Sequence, residues 1–133
     1  VLTRVIRPET AATMRKLLAR VTEQGGTGRR AQVEGFSVAG KTGTAQKPIR
    51  GGYSDTDHVA SFVGFLPAEN PELGIIVVVD EPQPIHTGGR VAAPVFGEIA
   101  AEVACCLELR PSGSLMAHGR PLSSGADHSY RSL

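Results

Sequence analysis

The stretch VAGKTGTAQK, residues Val38–Lys47, reads as a short strand that carries a lysine, two threonines and a glycine in close succession. Side chains alternate between the two sides of an extended backbone, so Lys41 and Gly43 share one face while Thr42 and Thr44 share the other. Because Gly43 has no Cβ, the backbone of a ligand can lie close against it. A strand edge with free N–H groups, hydroxyls and a nearby ammonium is suited to a peptide carboxylate.

The same residues also match a phosphate-binding pattern. GFSVAGKT, residues 35–42, fits G-x-x-x-x-G-K-[ST], and the apolar run that ends at Asp80 and Glu81 imitates the magnesium-binding strand of P-loop NTPases. Such a loop requires a helix that begins at the Lys-Thr pair. Here Gly43 and Pro48 follow instead, and both residues oppose a helix. A P-loop NTPase therefore stays open only as a disfavoured alternative.

Composition limits the possible functions. The 133 residues, 41% of them hydrophobic and with a formal net charge of +1, are enough for one modest domain. Nucleic-acid binding normally requires a clustered basic face, and Arg29–Arg30 and Arg15–Lys16 are pairs rather than patches, so we expect no nucleic-acid partner. No apolar run approaches the roughly 20 residues of a membrane span, and no signal segment is visible. The start at Val1, without a methionine, favours a fragment of a longer protein.

Three strands are predicted, joined by short turns into an antiparallel meander; they lie at Phe36–Gln46, Val59–Leu66 and Gly74–Asp80. Pro48 is expected to stop the first strand, and residues 48–57 are expected to form a mobile loop beside the site. The third strand is an almost unbroken apolar run, which is typical of a central strand covered on both faces.

A helix is predicted on each side of these strands, so the fold class is α+β, with an antiparallel sheet flanked by an N-terminal and a C-terminal helix. The first helix begins at Pro8 and should bury one apolar face (Met14, Leu17, Leu18 and Val21). The second begins at Pro94 and carries an apolar stripe that should lie across the sheet (Ala92, Val95, Phe96, Ile99, Val103 and Leu107). Residues 1–110 are expected to form the domain and residues 111–133 a disordered tail.

The remaining reactive side chains give no metal or redox signal. None of the four histidines has metal-ligand spacing, and they are interpreted as surface residues (His58, His86, His118 and His128). Asp80 and Glu81 end a strand without a second carboxylate motif, so no acid–base role is assigned to them. Cys105 and Cys106 are adjacent in a helical pattern, where a disulfide between them would be strained. We expect both to be free thiols in core or partly buried positions.

Lys41-Thr42-Gly43 is one of three motifs shared by penicillin-binding proteins and serine β-lactamases. The longer string GKTGTAQK, with SFVGFLP at 61–67 and GGRVAAPVF at 88–96, resembles the class B penicillin-binding proteins that cross-link peptidoglycan. The resemblance covers roughly residues 1–110. It implies the C-terminal part of a transpeptidase domain with the β-lactamase/transpeptidase-like fold, and neither a metal nor a cofactor is expected.

In that family a serine attacks the D-Ala–D-Ala carbonyl of a stem peptide, and the amine of a second peptide resolves the acyl-enzyme; β-lactams mimic the same terminus. The resemblance implies that Lys41 supplies positive charge near the terminal carboxylate and hydrogen-bonds the serine of an S-x-N motif. Thr42 would set the packing of the strand, and Gly43 would let the substrate lie flat. Thr44 would bind the carboxylate through its hydroxyl and serve as one of two oxyanion-hole donors through its backbone N–H, a contribution of typically ~2.7–4 kcal/mol.

The sequence contains neither S-x-x-K nor S-x-N, the motifs that supply the nucleophile and its base in the family. We therefore expect that this chain alone is not acylated and that it lacks two strands of the family's sheet. Besides the NTPase, two hypotheses remain: part of a D,D-transpeptidase that is active in its parent chain, or a non-catalytic peptide or cell-wall binding module. For the transpeptidase, the resemblance implies a membrane-anchored parent on the periplasmic side, with cell-division or elongation proteins as partners.

Overall fold

The computed structural model describes residues 3–112, which form a three-stranded antiparallel sheet with one helix before it and one after it. The elements in chain order are α1 (Pro8–Ala19), a 3-10 turn (Arg29–Ala31), β1 (Ala39–Ile49), β2 (Gly52–Leu66), β3 (Leu73–Asp80) and α2 (Gly88–Cys106). The strands lie in the order β1-β2-β3, and each is antiparallel to its neighbour. The predicted α+β class and the meander are confirmed.

The hairpin formed by β1 and β2 is longer than the sequence indicated. β1 continues through Pro48 to Ile49, with a shift of register between Gln46 and Pro48, and the turn is confined to Arg50–Gly51. The predictions that Pro48 ends the strand and that residues 48–57 form a loop are therefore wrong. β1 is an edge strand of the described sheet. Proline is tolerated at an edge, where its missing N–H need not break a ladder hydrogen bond.

β3 lies at the other edge of the described sheet, and β2 is the central strand. One face of β3 packs against α2, whereas Ile76 and Val78 on the opposite face are 66% and 57% exposed. Val63 of β2 pairs with Ile76 and is 49% exposed on the same side. We call this side of the sheet, marked by Val63, Ile76 and Val78, the bare face. Within residues 3–112, the prediction of a central third strand covered on both faces is wrong.

The hydrophobic core lies between the other face of the sheet and α2. Phe62 of β2 and Phe96 of α2 are fully buried and meet edge to face, with ring centroids 4.8 Å apart. The side of α2 that meets the sheet otherwise carries small residues (Ala92, Ala93, Gly97, Ala100 and Ala104). Small side chains let the helix approach the strands closely, which fixes the position of its first turn against β1 and β2.

α2 begins at Gly88, well before Pro94, which lies inside the helix. The predicted start at Pro94 is wrong, because a helix interior can accommodate a proline at the loss of one backbone hydrogen bond. The helix does lie across the sheet as predicted. Two residues of the predicted stripe are fully buried (Ala92 and Phe96), but three are exposed (Val95, Ile99 and Leu107). In the described part of the chain, neither helix is long and apolar enough to cross a bilayer.

α1 contacts β1 and no other helix or strand of residues 3–112. None of its own residues is buried, so the prediction of a buried apolar face is wrong. Met14 and Leu17 are exposed, and Leu18 and Val21 are half-buried. A single neighbouring strand covers too little of the helix to bury a complete stripe.

The C-terminal end of the described chain differs from expectation in two ways. Cys105 and Cys106 are free thiols as predicted, but both are exposed, because the buried face of the last turn of α2 is carried by Ala104. Ser112 is buried, and its N–H donates to the carbonyl of Gly35 at 2.9 Å. Residues 111–112 therefore belong to the domain, and the rest of the predicted tail, residues 113–133, lies outside the described residues.

Candidate active-site wall

β1 presents the predicted site residues on its two faces, as the alternation required. Lys41 pairs with Val63 on the bare face and is exposed, and its Nζ donates to the carbonyl oxygen of Thr42 at 2.8 Å. Gly43 lies on the same face and pairs with Ser61, whose hydroxyl leaves little room for a Cβ at position 43. Thr42 continues the strand, so no helix begins at the Lys-Thr pair. The prediction against a P-loop is confirmed.

The two threonine hydroxyls of β1 bind the segments on the α2 side of the sheet. Thr42 Oγ1 shares a hydrogen bond of 3.1 Å with Thr27 Oγ1 in the segment that follows α1. Thr44 Oγ1 accepts a hydrogen bond of 3.1 Å from the backbone N–H of Gly88 at the start of α2. β1 thus lies between two other parts of the chain, and its threonines hold both of them.

Glycines allow these segments to approach β1 and each other. A Cβ built on Gly88 would overlap the carbonyl oxygens of Ser61 and Gly43, and a Cβ built on Gly89 would overlap the carbonyl oxygen of Thr27. Backbone therefore lies against backbone at this junction, which no larger residue permits. The resemblance marked the segment at 88–96, but the sequence did not indicate that its two glycines meet the motif strand.

Buried hydrogen bonds fix the segment after α1. The hydroxyl of Thr22, which is buried, donates to the carbonyl of Val38 at 2.7 Å, immediately before β1. The side-chain amide of Gln32 donates to the carbonyl of Thr22 at 2.9 Å. Satisfied buried polar groups of this kind favour one arrangement over others. The position of residues 26–30 beside β1 is therefore set by the fold.

A pocket of about 490 Å³ lies between β1, residues 26–30 and the first turn of α2. It is lined by three arginines (Arg29, Arg30 and Arg90), four threonines (Thr27, Thr42, Thr44 and Thr87) and three glycines (Gly26, Gly88 and Gly89). No acidic residue and no lysine lines it. We call it the arginine pocket. The sequence does not indicate this pocket, because Arg29–Arg30 forms only a pair in the sequence and Arg90 is distant in the chain.

His58 and His86, two of the histidines interpreted as surface residues, pack against each other. The rings of His58 and His86 are half-buried and stacked, with centroids 4.1 Å apart and an interplanar angle of 14°. The stack joins β2 to the loop that leads into α2. His118 and His128 lie outside the described residues. Among residues 3–112, no three histidine, cysteine, aspartate or glutamate side chains form a cluster that could hold a metal ion.

Asp80 and Glu81 each form an ion pair with Lys47. The Nζ of Lys47 lies 3.0 Å from Asp80 Oδ1 and 2.6 Å from Glu81 Oε1. The hydrogen bond to Glu81, and then that to Asp80, raises the pKa of Lys47. The two carboxylates join the end of β3 to β1.

Comparison with known proteins identifies the family that this chain resembles. The profile of the penicillin binding protein transpeptidase domain matches residues 3–101. The Neisseria flavescens protein named "probable peptidoglycan D,D-transpeptidase PenA" is 44% identical over 124 residues, which are 92% of this chain and 29% of that protein. Stage V sporulation protein D of Bacillus subtilis is 46% identical over 108 residues, 80% of this chain and 17% of that protein.

A solved structure supports the same grouping. The apo transpeptidase domain of Burkholderia pseudomallei penicillin-binding protein 3 has a TM-score of 0.75 and 40% identity, and the match covers 83% of this chain and 34% of that one. The chain therefore spans less than a third of the two curated relatives above. The profile matches well over half of the chain and includes all three strands and most of α2. The chain belongs to the penicillin-binding protein transpeptidase domain family.

Proposed function

We propose that this chain is the C-terminal part of a serine-type peptidoglycan D,D-transpeptidase and carries one wall of its active site. Family membership and relatives whose names include "peptidoglycan D,D-transpeptidase" support the proposal. The observation that carries it is β1 itself: an edge strand with Lys41 exposed on one face and the hydroxyls of Thr42 and Thr44 on the other.

Each motif residue then has a role. Lys41 hydrogen-bonds the serine of an S-x-N motif that approaches the bare face, and Thr44 hydrogen-bonds the terminal carboxylate of the substrate. Thr42 sets the packing of the strand, in line with its hydrogen bond to Thr27. Gly43 lets the substrate strand lie flat, and the backbone N–H of Thr44 is one of two donors to the oxyanion. The nucleophilic serine and its base come from residues outside this chain.

The ligands and setting follow from the same proposal. The acyl donor is a peptidoglycan stem peptide that ends in D-Ala–D-Ala, and β-lactams bind in its place. The parent chain is anchored in the cytoplasmic membrane, acts on the periplasmic side and works with cell-division or elongation proteins. No cofactor takes part.

Labelling with a fluorescent penicillin tests the proposal. The full-length protein that contains this segment should be labelled covalently, and Lys41→Ala should reduce the labelling rate by at least about 100-fold, as loss of a transition-state interaction does. Lys47→Ala is the matched control, because Lys47 lies on the same strand but binds Asp80 and Glu81 instead. The 133-residue chain alone should not be labelled.

A non-catalytic peptide or cell-wall binding module is the second candidate, and it would use the exposed Lys41 and Thr44 of β1 without chemistry. Under this alternative the longer protein also lacks a nucleophile, and penicillin does not label it. The coding sequence upstream of this segment separates the two candidates, because a transpeptidase requires both S-x-x-K and S-x-N there.

A further inference from the structure

Lys41 and the three pocket arginines lie on opposite sides of β1. Lys41 lies on the bare face and donates its Nζ to the carbonyl of Thr42. Thr44 projects to the opposite face, and its hydroxyl lines the arginine pocket, whereas Lys41 does not. A carboxylate that is hydrogen-bonded by the Thr44 side chain therefore lies on the arginine side of the strand, opposite the face that carries Lys41.

The three arginines that line the pocket form no ion pair among the described residues. Between residues 3 and 112, the carboxylates that form ion pairs are Asp80 and Glu81, and both bind Lys47. No acidic residue lines the arginine pocket. Three arginines around one concave surface produce a positive potential that an anion relieves, and a guanidinium binds a carboxylate through two parallel hydrogen bonds.

The Thr44 hydroxyl can donate a hydrogen bond to an anion in the pocket. Its oxygen already accepts a hydrogen bond from the backbone N–H of Gly88 at 3.1 Å. A hydroxyl has one proton to donate, and this contact does not use it. That proton is available for a carboxylate oxygen in the pocket. Gly88 and Gly89 let the first turn of α2 pack directly against the backbone of β1 and of Thr27, which brings the walls of the pocket together.

We propose that Arg29, Arg30 and Arg90 form the anion subsite that attracts and holds the terminal carboxylate of the acyl donor, with the Thr44 hydroxyl beside them. Lys41 then serves the reacting centre on the other face rather than the carboxylate. This inference rests on the proposed transpeptidase function and adds three binding residues to it. Of these, Arg29 and Arg30 precede the motif strand, and Arg90 lies in the first turn of α2.

The test compares a penicillin that carries its free carboxylate with the methyl ester of the same compound. Both carry the β-lactam ring that a serine nucleophile attacks, but only the acid presents an anion to the subsite. The triple variant Arg29→Gln, Arg30→Gln, Arg90→Gln should lower the second-order acylation rate of the acid roughly 10- to 100-fold, in line with the loss of charged hydrogen bonds. Its rate with the ester should stay within about twofold of the unsubstituted protein.

Two controls make the comparison specific. Arg50→Gln removes an exposed arginine in the β1–β2 turn, outside the pocket, and should leave both rates unchanged. Lys41→Ala should slow the acid and the ester alike, because it acts on the reacting centre. The acid rate of the unsubstituted protein should also fall more steeply with added salt than that of the triple variant.

The other possible results refute either the subsite alone or the proposed function with it. If the triple variant and the unsubstituted protein react equally fast with the acid, the subsite is refuted and the proposed function stands. Equal losses with acid and ester indicate that the arginines support the fold instead, which also refutes the subsite. If neither compound acylates the unsubstituted protein, the transpeptidase proposal itself fails, and the subsite fails with it.

Discussion

Gly88 is the residue at which α2 meets the motif strand. It is buried, and a Cβ there would overlap the backbone carbonyl oxygens of Ser61 and Gly43, neither of which can rotate away. We expect Gly88→Ala to lower the free energy of unfolding by about 1–3 kcal/mol, because extra volume forces the backbone apart in a packed region. Urea unfolding followed by circular dichroism measures the change.

The matched control for this substitution is Gly52→Ala. Gly52 lies at the exposed start of β2, and a Cβ there meets no atom within 4 Å. Its effect on the free energy of unfolding should stay within about 0.5 kcal/mol, as for other surface substitutions. Similar losses for both variants would contradict the close backbone packing at Gly88.

For single residues, the sequence predicts which side chains share a face of a strand, but not which residues distant in the chain lie close together in the fold. The placement of Lys41 and Thr42 on opposite faces follows from the two-residue repeat of a strand, and the structure confirms it. No local period connects Arg30 with Arg90, or His58 with His86. The arginine pocket and the stacked rings exist only because the hairpin and α2 are folded onto one another.

At the scale of elements, Glu69 joins three segments. Its carboxylate accepts hydrogen bonds from the hydroxyls of Ser37, which precedes β1, and Ser112, which follows α2. Glu69 itself lies in the turn between β2 and β3. The hydrogen bond from Ser37 is the main reason that the pKa of Glu69 is lowered from its ordinary value of 4.5.

This pKa shift predicts a loss of stability in acid. A carboxyl whose pKa is lower in the folded state stabilises the fold above its unfolded pKa, and the contribution disappears as the pH falls through the folded pKa. Unfolding midpoints in urea should therefore decrease from pH 6 to pH 3, and Glu69→Gln should be less stable at pH 6 with a smaller decrease. Glu34→Gln, a change at an exposed carboxylate, should retain the full decrease.

Element types were easier to predict than element ends. All three strands and both helices overlap the segments in which the sequence patterns placed them. Pro48 and Pro94 were interpreted as a stop and a start, yet each lies inside its element. At the edge position of Pro48 the missing N–H need not break a ladder hydrogen bond, and at Pro94 the packing of α2 on the sheet offsets the loss of one helical hydrogen bond.

At the scale of the whole molecule, the two faces of the sheet differ. One face is covered by α2 and contains the Phe62–Phe96 contact. The bare face exposes Val63, Ile76 and Val78, and in the described residues β3 has no neighbour on its outer edge. Apolar surface next to an unpaired strand edge is a favourable site for association. The unbroken apolar run of β3 predicted burial on both sides, and residues 3–112 cover only one.

We therefore expect the 133-residue chain in isolation to associate at concentrations of roughly tens of micromolar and to bind a dye that fluoresces on apolar surfaces. Ile76→Thr with Val78→Thr should shift the chain towards a 13.9 kDa monomer and lower the dye signal, because threonine keeps the strand preference while it removes apolar area. Ile49→Thr, at an exposed position of β1 beyond the part of β2 that pairs with β3, should change neither measurement. Sedimentation velocity and dye fluorescence provide the two readouts. A monomeric unsubstituted chain that binds no dye would contradict the expectation, because Ile76 and Val78 would then have to be covered by another part of the same chain.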